Sequence, residues 1–86
     1  MSPVRAREIL LRHLAKHSDN EFRLKQNQSV ALLGLHEKTL GGGTGPLSFR
    51  ITDHGIIVDY FEYKPPGARP VEVAWSELAV IRIDYR

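Results

Sequence analysis

The second half of the chain, Leu47 to Arg86, is made of short runs of strand-forming residues that are separated by turn-forming residues. Phe49 to Ile51, Val71 to Trp75 and Ile81 to Tyr85 alternate apolar and polar residues, and Ile56 to Tyr63 is a run rich in β-branched and aromatic residues. Such runs predict β-strands, and turns between successive strands favour antiparallel pairing. The sheet therefore constrains where every other segment can pack.

The N-terminal segment predicts one amphipathic helix over residues 2–17. Ser2 is a residue type that caps helix N-termini, and Pro3 suits the first helical position because its missing N–H has no helical partner there. Basic residues occupy the helix face opposite the apolar one. Glu8 and Arg12 stand four residues apart in the order that favours an ion pair.

The segment between the helix and the second half is less clearly patterned. Phe22 to Lys25 alternates and predicts a first strand within residues 22–26. Residues 29–40 fit either a helix capped by Ser29 or a strand that pairs with 22–26, and a strand over 30–36 is favoured. The glycine run at residues 41–46 predicts a flexible loop.

These patterns predict an α+β fold, with one N-terminal helix packed on an antiparallel sheet of roughly four to six strands. The 86 residues form one small domain with a thin core, so that a partner or a second copy in a homodimer would add stability. The predicted core consists of Leu10, Leu11, Leu14, Phe22, Leu24, Leu33, Phe49, Ile51, Val58, Val73, Trp75, Ile81 and Ile83.

Composition excludes several classes of protein. The chain has no cysteine, which excludes disulfides, iron–sulfur clusters and thiolate zinc sites and is compatible with the reducing cytoplasm, where we expect the protein. No apolar run approaches the roughly 20 residues that span a bilayer, so we expect no membrane association.

Residues that could carry out chemistry do not form a known motif. The glycine run lacks the Lys-Ser/Thr ending of a phosphate-binding loop. His13 and His17 have the spacing of two metal ligands on the predicted helix, but no third ligand is marked. Asp53-His54-Gly55 indicates a hairpin turn with Gly55 at positive φ. We therefore expect no enzyme, with no catalytic or metal-binding residue, no cofactor and no small-molecule substrate.

The strand at residues 56–63 is apolar on both faces. A strand of a sheet with one solvated face should instead alternate apolar and polar residues. Either both faces are covered within the domain, or one is an exposed patch that binds a partner. The leading hypothesis is a small protein-binding module that acts as an adaptor, subunit or inhibitor. Its binding residues would be Ile57, Phe61 and Tyr63 on this face, with Tyr85 on an edge strand.

The alternative hypothesis is a nucleic-acid-binding protein. The net charge of +2 reflects a basic excess in the first half of the chain. The candidate phosphate contacts are Arg5, Arg12 and Lys16 on the basic helix face, together with Arg23 and Lys25.

Two segments of the β-rich half resemble a known family. ITDHGI (Ile51 to Ile56) and VAWSELAVI (Val73 to Ile81) are similar to the strand, Asp-x-Gly turn and Trp-Ser step of bacterial pleckstrin-homology-like domains. The resemblance covers about half of the chain. It implies a binding scaffold that carries no catalytic residues.

Overall fold

A computed structural model describes every residue from Met1 to Arg86. It opens with helix α1 (Pro3–His13), where the Ser2 hydroxyl accepts a hydrogen bond of 3.1 Å from the Arg5 backbone N–H, as expected of an N-cap. The predicted continuation to residue 17 is wrong. Leu14 is extended, and the residues after it leave the helix to join a sheet. No helix of the chain has the length and apolar character that a bilayer crossing requires.

Eight strands follow the helix and divide into two antiparallel sheets. They are β1 (Ala15–Lys16), β2 (Glu21–Arg23), β3 (Gln28–Leu33), β4 (Thr39–Gly43), β5 (Leu47–Ile51), β6 (Gly55–Tyr60), β7 (Val71–Ala74) and β8 (Val80–Tyr85). The larger sheet has the order β1-β2-β5-β6-β7, and the smaller one has the order β4-β3-β8. This confirms the predicted α+β class, although the strands form two sheets rather than one.

The ambiguous segment at residues 29–40 contains strand rather than α-helix, as favoured from the sequence. The predicted pairing with residues 22–26 is wrong, because β3 pairs with β4 and β8 whereas β2 pairs with β1 and β5. β3 ends at Leu33, short of the predicted residue 36, and a 3₁₀ turn (Leu35–Glu37) leads to β4. The strand predicted at 22–26 is the shorter β2, and the one predicted at 56–63 ends at Tyr60.

The glycine run was predicted to be a flexible loop, and this prediction is wrong for its first three residues. Gly41, Gly42 and Gly43 pair with β3 as part of β4. Gly42 has φ +114°, and a Cβ built on it would lie 2.0 Å from the carbonyl oxygen of Val30. Glycine is required there because the two backbones approach too closely for any side chain.

The helix and the two sheets enclose one apolar core. Its buried residues are Ala6, Leu10, Leu14, Phe22, Leu24, Val30, Leu32, Leu47, Phe49, Ile56, Val58, Val73, Leu78 and Ile81. Leu33, also predicted, is buried, whereas Ile51, Trp75 and Ile83 are only partly buried. Leu11 is 49% exposed, so its assignment to the core is wrong. It follows Leu10, which takes the core-facing position on the helix.

The turn between β5 and β6 is the predicted hairpin turn, with one correction. The Thr52 hydroxyl accepts hydrogen bonds of 3.1 Å from the N–H groups of His54 and Gly55. Gly55 does not have the predicted positive φ. It is needed for space, because a Cβ there would lie 2.0 Å from the carbonyl oxygen of Val73 on β7.

Candidate protein-interaction site

Strand β8 lies at an edge of the smaller sheet and pairs with β3 alone, which confirms its prediction as an edge strand. The N–H of Arg86 donates to the carbonyl of Asn27 at 2.7 Å. This bond shows which residues of β8 form hydrogen bonds with β3 and which do not. Along an antiparallel strand, the backbone N–H and C=O groups of one residue bond to a given neighbouring strand, and those of the next residue point to the opposite side. The backbone N–H and C=O groups of Ile81, Ile83 and Tyr85 therefore point to the free side of β8.

The side chains of β8 divide between two faces. Ile81 is buried in the core and Ile83 is partly buried against it. Arg82 and Asp84 occupy the opposite, solvated face, where the Arg82 Nε lies 3.4 Å from an oxygen of Asp84. Tyr85 is 62% exposed. The free edge thus combines unpaired main-chain groups with an exposed aromatic ring and a pair of opposite charges.

A groove of about 520 Å³ separates the start of β8 from helix α1. It is lined by Met1, Ser2, Arg5, Ile9, Ala79, Val80 and Ile81. At the other end of the helix, the Nδ1 of His13 lies 2.9 Å from the Tyr85 hydroxyl and joins the two elements. Most of the lining is apolar, so the groove could hold an apolar or aromatic side chain.

The predicted apolar face of β6 is less apolar than its own sequence indicates. Ile57 is half-buried and lies between Arg50 on β5 and Glu72 on β7. The other face of β6 carries Ile56 and Val58 into the core. One face of β6 is therefore core, and the other carries a single isoleucine among charged neighbours.

The structure brings together two residues that were predicted for different functions. The Arg23 guanidinium lies over the half-buried Phe61 ring, 4.4 Å from its centroid. The same guanidinium forms an ion pair of 2.9 Å with Glu21. Tyr63, the third residue of the predicted face, is 68% exposed in the loop after β6.

An open cleft of about 780 Å³ lies between Phe61 and Arg86, the residue that follows β8. It is lined by Leu24, Lys25, Gln26, Asn27, Gln28, Thr44, Gly45, Pro46, Phe61, Glu62 and Arg86. Arg86 directly follows β8, so the cleft lies at the end of this strand.

The predicted basic helix face is not formed as expected. Lys16 lies in β1, outside the helix, and forms an ion pair of 3.4 Å with Asp19. Arg5 pairs with Glu8 at 3.5 Å, so the predicted Glu8–Arg12 pair is not formed. His17 also lies beyond the helix end, so the predicted metal-ligand spacing on one helix no longer applies. Nowhere do three His, Asp or Glu side chains gather closely enough to hold a metal ion.

Asp59 lies on the outer face of β6, on the side opposite the core residues Ile56 and Val58. Partial burial alone would raise its pKa, but a 2.8 Å hydrogen bond from the Tyr60 N–H and an ion pair of 3.2 Å with Lys64 outweigh that effect. The pKa of Asp59 is therefore lowered from its ordinary 3.8.

Comparisons of the chain with family models, with curated proteins and with solved structures found no match. The resemblance to pleckstrin-homology-like domains therefore stays a prediction. Sequence reasoning found the β8 edge and Tyr85 but missed Arg86, Arg82 and Asp84. The period-two alternation of β8 could have identified them, because it places all three on one face of the strand.

Proposed function

We propose that this chain is a small, non-enzymatic cytoplasmic module that binds another protein chain through the free edge of β8. The observation that carries the proposal is the outward direction of the main-chain groups of Ile81, Ile83 and Tyr85. An unpaired strand edge is a template for pairing with an extended segment of another protein. Affinity would come from main-chain hydrogen bonds, and selectivity from side chains beside the edge.

The composition of β8 supports this proposal. Prolines and β-bulges in an edge strand interrupt its pairing with another chain. β8 has no proline, and its β3 register runs without a shift from Val80 to Tyr85. Its two charges, Arg82 and Asp84, lie on the solvated face rather than in the path of an incoming strand.

The cleft beside the end of β8 supplies a second contact surface. It contains the ring of Phe61, and aromatic residues are frequent anchors of protein interfaces. Tyr63 follows two residues later in the exposed loop. A partner that pairs with β8 and continues past Arg86 would contact this surface.

The proposal is tested by affinity capture from native lysate with a tagged Tyr85→Pro variant. Proline removes the outward N–H at this position. It breaks no hydrogen bond between β3 and β8, so the fold should be kept. The matched control Tyr85→Phe keeps that N–H and loses only the hydroxyl that meets His13. We expect a stoichiometric protein partner, stable to nuclease, that wild type and Tyr85→Phe capture and Tyr85→Pro does not. Equal capture by all three proteins would overturn the proposal.

A second candidate function is nucleic-acid binding at the cleft. Lys25 and Arg86 line the cleft together, and Arg23 stacks on the ring of Phe61 nearby. Phosphate contacts of this kind make binding fall steeply with salt. We propose to measure binding of fluorescent single-stranded oligonucleotides to wild type and to a Lys25→Glu, Arg86→Glu variant. Binding that is independent of salt, or equal for the two proteins, would remove this candidate.

A further inference from the structure

We propose that the free edge of β8 pairs with β8 of a second copy of this chain. The two strands would run antiparallel around a two-fold axis at Ile83 and join the smaller sheets into one continuous sheet of order β4-β3-β8-β8-β3-β4. This inference rests on the proposed function, because it names the chain that occupies the edge already described.

The hydrogen-bonding phase of the edge permits this arrangement. With the axis at Ile83, Ile83 of one copy lies opposite Ile83 of the other, and Ile81 lies opposite Tyr85. These are the three residues whose main-chain groups point away from β3. Each such opposed pair exchanges two hydrogen bonds in an antiparallel ladder, so about six bonds would form across the axis.

The charges on β8 select the same register. With the axis at Ile83, Arg82 of each copy lies opposite Asp84 of the other, and opposite charges on facing residues stabilise a strand pair. Sliding one strand by two residues would place Arg82 opposite Arg82, or Asp84 opposite Asp84, and like charges directly opposed destabilise a pair. Arg82 and Asp84 already lie 3.4 Å apart within one copy, so two copies would form an alternating cluster of four charges.

The exposed ring of Tyr85 also has a place in this dimer. Tyr85 is 62% exposed in the single chain, and in the proposed register it lies across from Ile81 of the second copy. Ile81 borders the groove between α1 and β8, whose apolar walls include Met1 and Ile9. The ring of one copy would exchange its hydroxyl contact with His13 for the groove of the other copy, whose walls are apolar and whose polar residues are Ser2 and Arg5.

The test is sedimentation equilibrium of the untagged protein over a wide concentration range, with variants that alter the charges. We expect a monomer–dimer equilibrium for the wild type. Arg82→Glu and Asp84→Arg should each raise the dissociation constant by about tenfold, because each puts two like-charged pairs across the axis. Both side chains are exposed, so circular dichroism should show an unchanged fold.

Combining the two changes distinguishes this register from others. The double variant Arg82→Glu, Asp84→Arg has opposite charges facing each other again, and it should dimerise as the wild type does. An equimolar mixture of the two single variants should form a heterodimer for the same reason. A double variant that stays dissociated would overturn the register, because residues 82 and 84 would then not face each other across the axis.

Two results would separate this inference from the proposed function. If the wild type is a monomer at every concentration while Tyr85→Pro still loses a captured protein, self-pairing is wrong and the edge binds a different chain. If the wild type is a monomer and Tyr85→Pro captures the same proteins as the wild type, both proposals are wrong.

Discussion

The side-chain nitrogen of Gln28 donates a hydrogen bond of 2.8 Å to the backbone carbonyl of His13, which joins the last residue of α1 to the first residue of β3. The carbonyl oxygen of the same side chain accepts a 2.8 Å hydrogen bond from the N–H of Lys25. Gln28 is only 3% exposed. One buried amide therefore satisfies an unpaired carbonyl at the helix end and holds the turn between β2 and β3, beside the cleft.

We expect Gln28→Ala to lower the free energy of unfolding by about 1–3 kcal/mol, because it leaves the His13 carbonyl and the Lys25 N–H without partners in a partly buried site. Urea denaturation measures the loss. The matched control is Gln26→Ala, since Gln26 is exposed in the same turn and should change stability by less than about 0.5 kcal/mol. Equal effects of the two changes would show that the Gln28 bonds contribute nothing.

Gly42→Ala should destabilise the protein strongly, by about 2–6 kcal/mol, because strain from positive φ adds to a clash of the new methyl group with the Val30 carbonyl. Gly45→Ala is the matched control. Gly45 also has positive φ, at +96°, but nothing lies within 4 Å of a Cβ built on it. Thermal unfolding of both variants tests the pairing of β4 with β3. A Gly42→Ala variant no less stable than Gly45→Ala would contradict the close approach of the two backbones.

The alternating strands and the helix cap could be predicted from the sequence because their signals are local. Ser2 and Pro3 predicted the helix start, and the alternation of Ile81 to Tyr85 predicted the strand β8. The helix end could not be predicted, because Ala15 and Lys16 leave the helix to pair with β2, a contact that depends on the whole sheet. The strand at Gly41 to Gly43 could not be predicted for the same reason. Its residues resemble a linker, and they form β4 only because they pair with β3.

The candidate site was predicted only in part. Phe61 was identified because it lies on the second apolar face of the predicted strand at 56–63, and Tyr85 because it lies on the predicted edge strand. The contact between Arg23 and Phe61 was not, because the two residues lie far apart in sequence and only the pairing of β2, β5 and β6 brings them together. Ile57 was predicted as part of an apolar patch, and the period of β6 alone gives no sign that Arg50 and Glu72 are its neighbours.

The lowered pKa of Asp59 predicts a specific acid dependence. A carboxyl group whose pKa is lower in the folded state binds fewer protons there than in the unfolded chain, so it adds stability above its unfolded pKa. That stability is lost as the pH falls through the folded pKa. We therefore expect Asp59→Asn to be less stable than the wild type at neutral pH, with the difference shrinking as the solution is acidified.

Urea denaturation of the wild type and Asp59→Asn at a series of pH values measures this difference. Added salt should reduce it at neutral pH, because the Lys64 partner is partly exposed and its attraction is screened. A difference that stays constant down to strongly acidic pH would show that ionised Asp59 adds no stability.

Phe61→Glu tests whether the cleft beside Phe61, just after β6, contacts a partner. The ring is only half-buried, and the new carboxylate would lie beside the Arg23 guanidinium, so the free energy of unfolding should change by less than about 1 kcal/mol. We expect capture of the protein partner to weaken while circular dichroism stays unchanged. Phe61→Leu, which keeps an apolar side chain, should retain more of the capture. If Phe61→Glu unfolds, the ring belongs to the core. If it folds and captures the partner as well as the wild type does, contact is confined to the β8 edge.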